Sequence, residues 1–336
     1  MGVPSGASGA QYCGRRGSLL HCAAMTKKER VLAAIEGRMG DIDRPPVSVW
    51  YHFGTQFRDG RKVGELEAAF FRHYDFDFLK MMNDYPWPLP AGVRTIETPS
   101  DLARIGPLSM DQPSFREQLA ALRSACALVG GDAFVIDTVF NPWGIARRTL
   151  RRHARTFLKE EPQKMLDWLA SCTENLRAYI RAAAATGIGG VFFSVNGAEA
   201  DGLSDQEFDR FVRPFDLAAL EAARSVGPFL VGHIHGKNLR MDRVIDYPVP
   251  VLNWSHLHDN ESLAQVRRRT TRCLIGGMDE IAASQLTARD IVESVLAAAQ
   301  EAKGGGFIAG PGCAVPADIP PDLIRAPREA VETLRA

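Results

Sequence analysis

The sequence predicts an α/β protein with the (β/α)8 architecture of a TIM barrel. Eight short apolar segments alternate with helical segments along the chain. Strict alternation of strand and helix indicates a parallel sheet covered by helices, and eight units favour closure into a barrel over an open sheet. The sequence has no G-x-G-x-x-G after the first predicted strand and no G-x-x-x-x-G-K-[ST] anywhere. The common open nucleotide-binding folds are therefore not indicated.

The predicted strands are short, rich in β-branched and aromatic residues, and bounded by Pro, Gly, Asn or Asp. They cover residues 47–50, 76–82, 133–140, 190–195, 228–232, 249–254, 273–276 and 305–309. Helices are predicted between them from apolar residues at helical spacing and from capping residues. Thr26 with Glu29, and Ser204 with Glu207, have the spacing of capping boxes at two helix starts.

Composition restricts the function classes. The 336 residues include 40 Lys and Arg against 40 Asp and Glu, so no general attraction to nucleic acid or anionic membrane is expected. No apolar run is long enough for a membrane helix. Six scattered Cys predict reduced thiols and a cytoplasmic location. Residues 1–24 have a flexible, core-poor composition and are expected to form a disordered leader before one barrel domain over 25–336.

Polar residues follow the predicted strands, where the mouth of a barrel of this kind carries its chemistry. Five of the eight His belong to this set. The set consists of His52, Asn83, Asp84, Asn141, Trp143, Asn196, Glu199, His233, His235, Trp254, His256, His258, Met278, Asp279 and Cys313.

Val231-Gly-His-Ile-His-Gly236 predicts a metal site. His233 and His235 are two residues apart at the end of a strand, so their side chains point to one side. Cys313, in a Pro-Gly-Cys turn after the eighth predicted strand, is the candidate third ligand. Two imidazoles and one thiolate suit Zn²⁺ with an open fourth position. The alternatives are a core His beside a solvated one, and a small buried Cys.

Asp84, His52 and Asn196 are the candidate catalytic residues, because each is polar and follows a predicted strand. The alternative for Asp84 is an ordinary surface charge. His256 and His258 are also two residues apart, but they lie beyond their strand and are expected in a solvated loop.

Several segments together resemble the uroporphyrinogen decarboxylase superfamily. They are Glu29–Gly37 with Asp43-Arg-Pro-Pro-Val, Leu203–Phe215, His233-x-His-Gly, Gly276-Gly-Met-Asp and Gly306–Pro316, in the order of that superfamily. The resemblance runs from about Thr26 to the C-terminus and implies a (β/α)8 barrel.

The residues resemble the corrinoid-dependent methyltransferase branch more than the decarboxylase branch. The decarboxylases bind substrate carboxylates with an Arg-Gln-Ala-Gly-Arg pattern after the first strand, where this chain has Trp50-Tyr-His-Phe-Gly-Thr-Gln-Phe57. Asp84 does match the mouth aspartate of that branch. His233 and Cys313 match zinc ligands of the methyltransferase branch, while His235 stands where that branch has Cys.

The resemblance implies a zinc-dependent methyl or alkyl transferase that acts on a small molecule and receives its methyl group from a corrinoid partner protein. Two alternatives stay open: a uroporphyrinogen decarboxylase without a cofactor, and a non-catalytic barrel that binds a corrinoid or tetrapyrrole. The sequence leaves the methyl acceptor open. It also leaves the oligomeric state open, with a homodimer among the options.

Overall fold

The computed structural model describes residues 25–335, so the predicted leader over 1–24 lies outside the described residues. The chain forms α1 (Lys27–Ile35), α2 (Gly60–Tyr74), β1 (Phe78–Met81), α3 (Pro99–Leu102), α4 (Pro113–Val129), β2 (Phe134–Phe140), α5 (Pro142–Leu150), α6 (His153–Glu160), α7 (Pro162–Ala184), β3 (Gly190–Val195), α8 (Asp205–Phe211), α9 (Arg213–Arg224), β4 (Phe229–Ile234), β5 (Val251–Trp254), α10 (Leu263–Arg267), β6 (Cys273–Met278), α11 (Ala288–Glu301), β7 (Phe307–Pro311) and α12 (Pro321–Glu332). None of these helices combines the length and apolar character needed to cross a membrane.

The seven strands form one parallel sheet in chain order, β1 to β7, in a TIM-barrel-like arrangement. One apolar cluster fills the space between the sheet and the helices. A second cluster takes side chains from all seven strands, including Phe78 of β1 and Ile308 of β7. The rings of Phe78 and Phe229 lie 4.8 Å apart, although two strands lie between β1 and β4 in the sheet order. The sheet is therefore curled, and its concave face encloses this inner core.

The prediction of eight strands is wrong for the first one, because residues 47–50 form no regular strand. This extended segment makes two isolated parallel bridges, Val47 to Ala309 and Tyr51 to Val315. On its other side, the N–H of Asp77 donates to the carbonyl of Val47 at 2.8 Å. Pro45 and Pro46 lack an N–H, and the N–H of Val47 donates to the Asp77 side chain instead of a backbone carbonyl. A continuous hydrogen-bond ladder cannot form there.

The other predicted strands are confirmed with boundary shifts of a few residues, but α5 and α6 were missed. Asn141-Pro-Trp-Gly144, which follows the third predicted strand, starts α5. The side chain of Asn141 accepts a hydrogen bond from the N–H of Gly144 at 2.9 Å, and Pro142 is the first helical residue. Asn at the N-cap followed by Pro is a common helix start, so the sequence did carry this signal.

A buried carboxylate holds the 44–50 segment beside β1. Asp77 is fully buried and accepts hydrogen bonds from Arg30 Nη1 at 2.7 Å, Arg44 Nη1 at 2.6 Å and the N–H of Val47 at 2.8 Å. Arg30 and Arg44 are buried as well. The carboxylate therefore pairs with two guanidinium groups that have little access to water, and Asp43 and Glu332 supply the second carboxylates of this network.

We expect Asp77→Ala to lower the free energy of unfolding by about 3–5 kcal/mol, since it removes one of two carboxylate partners from each of two buried guanidinium groups and leaves one buried N–H without its acceptor. Urea denaturation at pH 7 measures this change. Asp132→Ala is the matched control, because the Asp132 side chain is exposed and forms a long ion pair with Lys27, at 3.7 Å. We expect the free energy of unfolding to change by at most about 0.5 kcal/mol in Asp132→Ala and by much more in Asp77→Ala.

Candidate metal centre

His233, His235 and Cys313 meet at the ends of β4 and β7. One potential ligand atom from each residue lies within 4.8 Å of the other two. The Sγ of Cys313 is 3.7 Å from Nδ1 of His235. His233 is buried, Cys313 is partly buried and His235 is exposed. The structure therefore brings together the three residues that the sequence analysis selected as metal ligands.

Asn253 fixes the orientation and tautomer of His233. The two residues lie opposite each other on β4 and β5, and His233 Nδ1 is 2.7 Å from Asn253 Oδ1. Asn253 Nδ2 donates to the carbonyls of Ile275 and Pro311 at 3.2 and 3.0 Å, so Oδ1 must face the imidazole. His233 Nδ1 then carries the proton, and Nε2 keeps its lone pair for a metal. Burial lowers the pKa of His233 to about 3, so the ring is neutral at physiological pH.

His235 lies at the exposed rim, next to Glu199. Partial removal from water lowers the pKa of His235, and the negative charge of the Glu199 carboxylate opposes that shift. Glu199 is itself held by the N–H of Gly197 at 2.8 Å and by Arg147 at 2.7 Å. Both imidazoles are therefore biased toward the neutral form that binds metal ions.

Glu280 anchors the turn that carries Cys313. Its carboxylate accepts from the N–H of Gly312 at 3.1 Å and from the Ser255 hydroxyl. A Cβ at position 312 would lie 2.6 Å from Ser255 Cα, so only glycine permits this approach to the end of β5. Burial raises the pKa of the Cys313 thiol. Sequence reasoning stopped at Asp279 and missed Glu280, which follows it directly.

Asp84 and His52 form a pair at the mouth. Nδ1 of His52 lies 2.5 Å from Asp84 Oδ1. The Asp84 side chain is 8% exposed and the His52 side chain 55% exposed. The second carboxylate oxygen of Asp84, Oδ2, is buried and has no hydrogen-bond partner. One oxygen of this carboxylate is therefore available to a ligand.

The remaining sequence candidates have different surroundings. Asn196 follows β3, and its backbone groups exchange hydrogen bonds with the Asn141 side chain at 3.1 Å.

The expectation that His256 lies in a solvated loop is wrong. His256 is buried, and its Nε2 accepts from the N–H of Gly277 at 2.9 Å. His258 pairs with Asp279 at 2.6 Å. Because Nε2 of His256 accepts a structural bond, that ring is built into the fold.

Lys80 is a buried cation that sequence reasoning missed. Lys80 lies two residues from Phe78 and two from Met82, whose side chains belong to the inner core. Because residues two apart on an extended chain point to the same side, the Lys80 side chain also points to the concave face. Its ammonium lies 2.9 Å from Met82 Sδ and 4.4 Å above the Phe192 ring. The same ring stacks on His233 with 5.0 Å between centroids. Burial lowers the pKa of Lys80 to about 8, and the acidic groups around it, among them Cys313 and Glu67, oppose that shift.

We expect Lys80→Met to increase the free energy of unfolding by about 1–3 kcal/mol at pH 7, since no carboxylate among residues 25–335 lies within 4.0 Å of this buried ammonium. The folded-state pKa of about 8 lies below the ordinary 10.5. The cost of the buried charge is therefore fully present below pH 8 and disappears as the pH rises through 10.5.

Urea denaturation at pH 7 and pH 10 measures the Lys80→Met effect. Lys62→Met, on the exposed face of α2, is the matched control and should change little at either pH. A Lys80→Met variant less stable than the wild type at pH 7 would show that the ammonium stabilises the inner core.

Comparisons with known proteins agree with this architecture. The model of the uroporphyrinogen decarboxylase (URO-D) family matches residues 88–334. No curated protein matches the sequence. Among solved structures, a methyltransferase from Methanosarcina mazei superposes with a TM-score of 0.69 at 18% identity, covering 92% of this chain and 99% of that chain.

Two further structures show the same fold at lower identity. A B12-independent methionine synthase from Shewanella sp. gives a TM-score of 0.56 at 11% identity, over 86% of this chain and 92% of that chain. A putative vitamin-B12-independent methionine synthase from Listeria monocytogenes gives 0.57 at 9% identity, over 82% and 87%. Because the family model matches well over half of the sequence, the chain belongs to the uroporphyrinogen decarboxylase family.

Proposed function

We propose that this protein is a zinc-dependent methyl or alkyl transferase of the corrinoid-dependent type. The observation that carries the proposal is the convergence of His233, His235 and Cys313 on one point. The similarity to a Methanosarcina mazei methyltransferase over 99% of that chain supports it. We further propose that residues 46–51 lie between β7 and β1 in the position of an eighth strand and so close the sheet into a barrel.

Cys313 and His235 have the spacing of two ligands of a tetrahedral zinc ion, and His233 lies within 4.8 Å of both. Zinc bonds of about 2.1 Å to nitrogen and 2.3 Å to sulfur at a tetrahedral angle separate the two ligand atoms by roughly 3.6 Å. The distance between Cys313 Sγ and His235 Nδ1 is 3.7 Å. Nε2 of His233 is left unprotonated by the Asn253 bond. A zinc ion held by these three residues would leave its fourth position to an acceptor substrate.

When bound, zinc supplies Lewis acidity that lowers the pKa of the acceptor and keeps it nucleophilic. Asn253 keeps His233 in the tautomer that can bind the ion, and Glu280 holds Cys313 in reach. Asp84 and His52 take part as a hydrogen-bonded pair, in which Asp84 Oδ2 orients the substrate or accepts its proton. Asn196 contributes a polar side chain at the end of β3.

The methyl donor in this proposal is a corrinoid carried by a partner protein that docks at the mouth. His235 and His52, which are exposed, form the face that such a partner would cover. The free thiols of Cys126, Cys172, Cys273 and Cys313 support a reducing, cytoplasmic environment.

We expect purified protein to bind about one equivalent of zinc and to demethylate methylcobalamin in the presence of a thiol acceptor. Cys313→Ser should lose most of the zinc and the activity, because a neutral hydroxyl replaces a thiolate ligand. Cys126→Ser is the control, since Cys126 lies on α4 away from the site. Metal analysis and the absorbance of methylcobalamin measure both effects. Substoichiometric zinc that Cys313→Ser leaves unchanged would refute the proposal.

We also expect zinc binding at pH 7 to release about one proton per ion, from Cys313. The raised pKa of Cys313 keeps its thiol protonated, and the lowered pKa values of His233 and His235 keep both rings neutral. Zinc affinity should therefore fall as the pH decreases, with a slope near one proton. Calorimetry in buffers of different ionisation enthalpy counts the protons. Release of two would mean that an imidazole is protonated before binding.

Decarboxylation of uroporphyrinogen is the second candidate function. It is favoured by the unpartnered buried oxygen of Asp84, which could accept from pyrrole N–H groups. The 50–57 loop lacks the arginine pair of the decarboxylases, and Arg61 pairs instead with Glu65 on α2, at 3.8 Å. Conversion of uroporphyrinogen by metal-free protein would favour this candidate over methyl transfer.

A further inference from the structure

A cavity of about 600 Å³ adjoins the mouth between the segments that follow β1 and β2. Its outer walls come from α4, α5 and α7, and Asp84 lies on its boundary. None of the three candidate metal ligands lines it. Aromatic rings form one wall: Trp87 meets Phe115 edge-on at 5.1 Å, and Phe115 lies 5.1 Å from Tyr179. A flat apolar body would fit against this wall.

Three buried polar atoms on residues lining this cavity have no hydrogen-bond partner: Asp84 Oδ2, Trp87 Nε1 and Gln118 Oε1. Gln118 is 1% exposed. Its amide nitrogen already donates to the Met82 carbonyl and to Asp137, which fixes its orientation. Burying a polar group without a partner is costly, so these atoms are suited to hydrogen-bond a ligand in the cavity. This ligand must accept a hydrogen bond from Trp87 and donate to Gln118 or Asp84.

The same cavity is lined by four arginines: Arg94, Arg148, Arg151 and Arg152. Within residues 25–335, none of the four has a carboxylate within 4.0 Å, whereas the neighbouring Arg147 pairs with Glu199 at 2.7 Å. The acidic residues on the lining are Asp84 and Glu97. Arg151 has φ 50° and ψ −124°, a left-handed conformation that is strained for a residue with a side chain. Unpaired guanidinium groups are suited to binding carboxylate in a bidentate manner.

We propose that this cavity binds a small organic carboxylate with a flat, largely apolar body and an O–H or N–H donor. The carboxylate lies toward the arginines, the body packs on the aromatic wall, and the donor reaches Gln118 or Asp84. This deepens the proposed function by giving a chemical class to its small-molecule substrate. Binding in the cavity does not need the metal, so it can be tested separately from methyl transfer.

The probes are 4-hydroxybenzoate, 4-hydroxybenzamide and benzoate, followed by calorimetry and by tryptophan fluorescence with the full-length protein. We expect saturable binding of 4-hydroxybenzoate. The uncharged amide should bind at least about tenfold more weakly, because it forms no charge-assisted pair with arginine. Benzoate should bind about fivefold more weakly, because it offers no donor. Absence of saturable binding, or equal affinity for acid and amide, overturns the proposal.

Trp87→Phe tests the site while keeping the aromatic wall. Loss of the indole N–H should weaken 4-hydroxybenzoate binding about fivefold. The double variant Arg148→Gln with Arg152→Gln should weaken it at least about tenfold, whereas Arg123→Gln, an exposed arginine on α4 outside the cavity, should not. Cys313→Ser should leave this affinity unchanged even where zinc and transfer activity are lost. Unchanged binding in both cavity variants would place the ligand elsewhere and refute the proposal.

Discussion

The buried carboxylate of Asp77 is the interaction on which the arrangement of the mouth depends. It accepts hydrogen bonds from Arg30 of α1, from Arg44 of the following turn and from the N–H of Val47. These contacts hold the 44–50 segment against β1, while the backbone of the same segment bonds to Ala309 of β7. The two ends of the seven-stranded sheet are thereby linked through one short segment. Because this segment is held in place, the residues that follow it, including His52, lie at the mouth.

The side chains that position the candidate metal ligands are either uncharged or buried. Asn253 orients His233 through an amide that two backbone carbonyls fix in turn. Cys313 is positioned by Glu280, whose carboxylate bonds the turn rather than the thiol. Lys80 adds a positive charge near Cys313, with sulfur and aromatic faces as its closest partners. A buried cation with so little compensation costs stability, which is typical of a residue kept for a site rather than for the fold.

The mouth has two parts that share Asp84. One oxygen of Asp84 contacts His52, the other is buried without a partner, and Asp84 also lies on the boundary of the arginine-lined cavity. The two His and the Cys occupy the part formed by β4 and β7, while the cavity lies beside β1 and β2. A reactive group at the metal and a binding pocket for the body of a substrate would thus be separate but adjacent. This division is common where a few charged groups hold a substrate and a metal acts on one of its atoms.

The sequence by itself determined the class of fold and the three candidate metal ligands. Alternation of apolar strands and capped helices, and the i, i+2 spacing of His233 and His235, are local signals that need no knowledge of distant contacts. The sequence also contained the Asn141-Pro142 start of α5, which was overlooked. Only the tertiary structure decided the pairing of His52 with Asp84, the roles of Asn253, Glu280 and Lys80, and the burial of His256. Only the tertiary structure likewise showed that four arginines from two separate stretches of the chain line one cavity. These features arise from side chains that meet across strands far apart in sequence, and burial then decides their charge and hydrogen bonding.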